Sequence, residues 1–137
     1  METKKFNKET DYEELCDWWE SWGLPKHSKH ALSENGIIVS NDGINICSGF
    51  IFSTDSYICF FEFATMNKNT TKEQRNGALI KLLDSMVEKA KAMGFKLAMT
   101  LGEDKQARTS PVLHKWKNEN MKDMIRPNIS QYWKILT

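Results

Sequence analysis

Between Ile37 and Leu101 the hydrophobic period changes twice, and those changes dictate which layers the chain can build. Ile37-Ile38-Val39-Ser40, the turn Asn41-Asp42-Gly43 and the run from Ile44 to Phe52 read as two strands joined tightly, since Asp-Gly tolerates the positive φ of a short hairpin. Thr54-Asp55-Ser56 makes a second turn, and Tyr57 to Met66 forms a third strand rich in aromatics. Side chains alternate across a sheet, so Phe61, Phe63 and Thr65 are expected on one side and Glu62, Ala64 and Met66 on the other. The repeat then lengthens. Ala78, Leu79, Leu82, Leu83, Met86, Val87, Ala90 and Met93 recur along one helical stripe, and Gly94 closes the helix as a left-handed cap. Phe95 to Leu101 is again strand-like, and a strand reached through a helix is expected to pair parallel with the strand before it. Three antiparallel neighbours followed by a crossover make this an α/β (α+β) chain with a mixed sheet.

The flanking segments add helices and edges. Thr10-Asp11-Tyr12-Glu13 has capping-box spacing, and Tyr12, Leu15, Cys16, Trp19 and Trp22 follow at helical intervals. A first helix is therefore predicted from about Asp11 to Trp22, stopped by Gly23 and Pro25. Lys26 to Asn35, with His27 and His30, reads as a loop or a short helical turn. Ser110-Pro111 opens a later helix carrying Val112, Leu113 and Trp116 inward. Met124-Ile125 and Gln131 to Leu136 are strand-like pieces separated by Pro127-Asn128, and Lys4 to Asn7 is a candidate opening strand.

Composition narrows the function classes. A chain of 137 residues is expected to form one domain over residues 1–137, with a core that needs no disulfide or metal staple. Lys and Arg total 19 and Asp and Glu 18, so no basic field favours nucleic acid. Cys16, Cys47 and Cys59 are odd in number and widely spaced, which argues against a disulfide framework and a thiolate zinc site. Two of them lie in apolar runs and read as buried, reduced thiols. His27 and His30 have no accompanying acidic or cysteine ligand at a recognisable interval, so no metal is expected. The charged start carries no signal-peptide pattern, and the longest apolar stretch, Ile58 to Met66, is far short of the ~20 residues of a membrane span. A cytoplasmic protein with no membrane partner is expected.

The element order and the residues from Glu62 to Gly94 resemble the acyl-CoA N-acyltransferases of the GNAT superfamily. Glu62-Phe63-Ala64-Thr65-Met66-Asn67 is similar to that family's fourth strand, and Gln74-Arg75-Asn76-Gly77 matches the first four positions of its Q/R-x-x-G-x-G/A signature. Thr109 to Met121 resembles the later helix in its apolar positions, and Asp17-Trp18-Trp19-Glu20-Ser21-Trp22-Gly23 resembles the start of small GNAT-like proteins of bacteriophages and bacteria. The chain departs from the pattern at three places. Leu79 stands where Gly or Ala is usual, Trp116 where a Tyr often serves as acid, and Thr109 where the family has Asn. Thr70 to Gln74 also suit a helix cap one turn earlier, which would put Gly77 inside the helix at about 1 kcal/mol relative to Ala.

The resemblance implies a central, mostly antiparallel mixed sheet flanked by helices, and acetyl-CoA as co-substrate for acetylating an amine. Its pantetheine would run along Ala64, Thr65 and Met66 where the third and fourth interior strands part, and its diphosphate would meet Lys72, Gln74, Arg75, Asn76 and Gly77 at the helix start, with Thr109 as a further contact. Glu62 is the candidate base, or else a solvent-facing or Lys-paired carboxylate, and a backbone amide near Thr65 is the candidate oxyanion donor. Tyr132 and His114 are the remaining groups able to handle a proton. Trp18, Trp19 and Trp22 cannot share one helix face: either two are core and the third covers the loop of His27, or Trp18 or Trp22 walls a cleft. Tyr132 and Trp133 suit a homodimer edge and equally suit a core. The competing reading is a GNAT-shaped interaction module without catalysis.

Overall fold

The computed structural model of the chain describes residues 1–102, 111–120, 122–126 and 129–136. Its elements run β1 (Glu2–Lys5), α1 (Lys8–Ser21), a short 3-10 turn (Lys29–Ala31), β2 (Asn35–Asn41), β3 (Ile44–Ser53), β4 (Ile58–Met66), α2 (Lys72–Ala92), β5 (Leu97–Gly102), α3 (Pro111–Asn120), β6 (Lys122–Arg126) and β7 (Ile129–Ile135). They form one mixed sheet in the order β1-β2-β3-β4-β5-β7-β6, and β4–β5 is its parallel pair.

The expected hairpin is present, with Asp42 at φ 50° and Gly43 at φ 79°, the two positive values that a two-residue loop between twisted strands requires. Two expected boundaries move. Asn7, rather than Thr10, caps α1: its Oδ1 accepts from Glu9 N at 2.9 Å while Asp11 Oδ2 accepts from Asn7 N at 2.8 Å. The helix therefore starts at Lys8. The opening strand sits at Glu2–Lys5 instead of Lys4 to Asn7, because Phe6 leaves the edge to bury its ring and Asn7 is already the cap.

Each face of the sheet carries its own core. On one face α2 presents Ala78, Leu79, Leu82, Leu83, Met86, Val87 and Ala90 to Ile46, Ile51 and Phe61, and Trp116 of α3 joins them. Burying a Leu, Met or Val side chain contributes roughly 1.5–3 kcal/mol, so this stripe easily outweighs the ~1 kcal/mol cost of Gly77 within α2. On the other face α1 packs Leu15, Cys16, Trp18 and Trp19 against Phe6, Ile38 and Phe50. Among the described residues no helix is long and apolar enough to cross a membrane.

Candidate active site

β4 is not a regular strand. Its ladder with β3 runs Ser53–Cys59, Phe52–Phe60, Ile51–Phe61 and Phe50–Glu62, then resumes at Ser48–Thr65, so Gly49 alone faces both Phe63 and Ala64. The extra residue is a β-bulge, and Phe63 takes it up at φ 59°. The bulge overturns the simple alternation expected for this strand. Residues directly opposite in a ladder share a face, so Glu62 lies on the α1 face with Phe50, and Thr65 lies on that same face with Ser48. Phe63 joins this side too, packing on the α1 core, whereas Phe61 and Met66 pack on the α2 core and Ala64 is exposed. The loop after α1 docks on the bulge: the His27 ring stacks on Phe63 at 4.3 Å and meets Trp19 edge-on at 4.9 Å. Tyr12 Oη holds that loop by donating to the His27 carbonyl at 2.6 Å.

The parallel ladder between β4 and β5 is short. It pairs Ile58–Leu97, Cys59–Ala98 and Phe60–Met99 and then stops, while β5 continues to Gly102 along β7. Beyond Phe60 the two strands part. At the start of β4 the Tyr57 carbonyl accepts from Lys96 N and Leu97 N, so odd-numbered carbonyls face β5 there. One extra residue reverses that parity. Asn67 N donates to Ile46 O at 2.7 Å on the β3 side, and a planar trans peptide then aims the Met66 carbonyl the opposite way, into the gap. The Nε1 of Trp22 donates to that carbonyl at 2.9 Å.

α2 starts beside this gap. Thr71 Oγ1 accepts from Gln74 N at 3.1 Å and Gln74 Oε1 accepts from Thr71 N at 2.9 Å, a reciprocal box that begins the helix at Lys72. The earlier of the two expected helix starts is the one adopted. Gln74, Arg75, Asn76 and Gly77 consequently lie within the helix, and Arg75 N already donates to Thr71 O. The box consumes two end amides, leaving those of Lys72 and Glu73 as the donors open to an anion. The Arg75 guanidinium is turned back on the loop, donating to the carbonyls of Lys68 and Thr70. Gly77 has the chain itself as its neighbour: a Cβ there would lie 3.3 Å from Met1 Cε. The Lys72 side chain is exposed and Asn76 half-buried.

No family model and no curated relative matches the sequence. Solved structures do. An aminoglycoside 6'-acetyltransferase type Ii superposes with a TM-score of 0.78 at 9% identity, covering 100% of this chain and 98% of the other. Rv2747 of Mycobacterium tuberculosis, solved in complex with CoA, gives 0.76 at 8% identity with 100% of both chains covered. A GNAT-family acetyltransferase of Staphylococcus aureus gives 0.73 at 12% identity with 99% of both covered. The chain has the GNAT fold.

Within the GNAT fold the departures from the family's motifs have structural reasons. Leu79, 3% exposed, belongs to the α2 stripe that fills the core. Trp116 is buried as well, and its Nε1 donates to Asp84 Oδ1 at 3.1 Å, tying α3 to α2. Tyr132 stands on β7 opposite Thr100 of β5, one strand beyond the gap from Glu62, and His114 belongs to α3. Thr109 lies outside the described residues. Among the described residues no group of three His, Cys, Asp or Glu is placed to hold a metal. All three cysteines are free and buried, and burial pushes the Cys47 thiol up to about 12 and the Cys59 thiol to about 11.

Of the two arrangements expected for the tryptophans, the structure keeps the two core rings of the first but not its third ring over the His27 loop. Trp18 and Trp19 are core and Trp22 is 41% exposed, yet it is Trp19 that covers His27. Trp22 instead serves the end of β4, with Lys68 Nζ 5.0 Å and Arg75 Cζ 5.9 Å from its ring. Lys68, which also donates to the Ser21 carbonyl at 3.2 Å, was not singled out from sequence. A lysine in a polar loop carries no pattern to mark it.

Proposed function

We propose that the chain is an acetyl-CoA-dependent N-acetyltransferase that passes its acetyl group directly to an amine in a ternary complex. The observation carrying this reading is the gap between β4 and β5 beyond Phe60 and Met99, with the bulge that turns the Met66 carbonyl into it. An extended ligand rich in amides needs an unpaired strand edge, and its anionic end needs free helix-start amides. Both adjoin one loop, from Asn67 to Thr71. Two similar folds solved with CoA, from Mycobacterium tuberculosis and Neisseria gonorrhoeae, support the same ligand.

Bound acetyl-CoA supplies the thioester. The backbone of Ala64, Thr65 and Met66 lines its pantetheine, and the open amides of Lys72 and Glu73 receive its diphosphate at the first turns of α2, with Gln74, Arg75, Asn76 and Gly77 shaping that end. Glu62 takes the proton an amine loses as it attacks, directly or through a water, and an amide near Thr65 faces the developing oxyanion. As the N–C bond forms and the C–S bond breaks, Tyr132 gives a proton to the departing thiolate. Cys47 and Cys59 stay protonated, so neither offers a nucleophile for a covalent route.

Calorimetry and thermal unfolding with acetyl-CoA test the reading. Ligand at 100 times Kd adds ~2.7 kcal/mol of stability. No shift at millimolar acetyl-CoA rejects the enzyme in favour of an interaction module on the GNAT fold, a reading that Trp116, buried where the family carries a proton donor, favours. With binding established, thiol release against a panel of amines finds the acceptor. Glu62→Gln is then expected to lower kcat/KM by roughly 10²–10⁴ and to remove the acid limb of its pH profile; an unchanged profile removes Glu62 as the base.

A further inference from the structure

We propose that the indole of Trp22 is a latch across the cofactor groove: it holds the Met66 carbonyl in the free protein and must release it for the pantetheine arm to pass. This rests on the acyl-CoA reading of the gap. The Met66 carbonyl points away from β3 into that gap, where it is an acceptor for an arriving amide, and Trp22 Nε1 occupies it at 2.9 Å. The latch opens without unfolding α1. The backbone N–H of Trp22 caps that helix on the Trp18 and Trp19 carbonyls, so rotation about the side-chain bonds alone frees the indole. The ring is 41% exposed, and Lys68 and Arg75 hold it only through cation–π contacts that are weak at exposed sites. Its departure also ends the ring's contact with Lys68, an exposed cation in the loop that leads into α2, so that charge is free to turn toward the diphosphate as the groove opens.

A protein that must break an internal contact before binding has its affinity lowered by the fraction of molecules already open. Trp22→Phe keeps an aromatic ring and removes the donor. Calorimetry with CoA should therefore show Trp22→Phe binding roughly three- to tenfold tighter than the native chain, the factor expected for one net hydrogen bond. Affinity that is equal or weaker overturns the latch. In the native chain, fluorine NMR after fluorotryptophan labelling follows the indole itself, with the Trp22 signal among the five tryptophans assigned by its loss in the variant. That signal should move when CoA is added; a stationary signal with CoA bound refutes the proposal. Trp22→Leu serves both measurements if Trp22→Phe fails to fold. CoA that binds neither protein rejects the acyl-CoA reading and the latch together, a result distinct from binding that is indifferent to Trp22.

Discussion

Phe63 offers a test of the bulge in which the expected order of two variants reverses. It is held at φ 59°, where an L side chain costs roughly 1–2 kcal/mol and glycine nothing. Phe63→Ala and Phe63→Gly lose the same ring, with its His27 stack and its edge contact to Phe52, so the difference between them isolates the backbone. Glycine gives back about 0.5–1 kcal/mol through its freer unfolded chain. The net expectation is that Phe63→Gly is more stable than Phe63→Ala by about 1 kcal/mol. At Phe61, two positions earlier in regular strand, only the entropy term operates and Ala should exceed Gly by about 0.5–1 kcal/mol. Urea unfolding of the four variants with a common slope reads this crossing directly. In thermal unfolding 1 kcal/mol corresponds to about 3–5 °C for a chain of this size. If Ala exceeds Gly at both positions, Phe63 is ordinary strand, and the reversed parity that points the Met66 carbonyl into the gap is lost with the bulge.

Two further outcomes follow from the described side chains. Thr71→Ala removes the acceptor of Gln74 N and should cost about 1 kcal/mol in urea unfolding, with a midpoint identical to the native chain's arguing against the capping box. The Cys47 thiol, raised from 9.0 to about 12, favours the folded state below pH 9, and that preference is lost as the unfolded thiol ionises above it. Stability should fall by ~1.4 kcal/mol per pH unit from this group between pH 9 and 11. The same slope in Cys47→Ala would show that other groups cause it.

Local pattern was enough for the central strands β2 to β5, the long helix with Gly94 beyond its end, the hairpin at Asp42-Gly43 and the crossover that makes β5 parallel to β4, but it misplaced the edge strand β1. Each depends on a period a few residues long or on the handedness of one connection, and both are written in neighbouring residues. The parting of the aromatic strand from the strand after the helix was implied only by the family resemblance, and the β4–β5 ladder stops at Phe60–Met99. Three features were not settled by local pattern, although the adopted start of α2 was one of the two expected. A bulge is one residue of mismatch between two strands, decided by how β3 and β4 pair once residues of both are packed on both faces of the sheet, and Phe63 has none of the glycine character that usually marks a positive φ. The start of α2 depended on a competition between two caps, settled where Thr71 and Gln74 satisfy each other. The partner of Trp22 lies 44 residues away, at a carbonyl whose direction exists only once the bulge has formed. The order and kind of the elements thus follow from sequence because short-range periodicity dictates them. The direction of each main-chain group at the site came only from tertiary structure, because a shift of one residue in register reverses it.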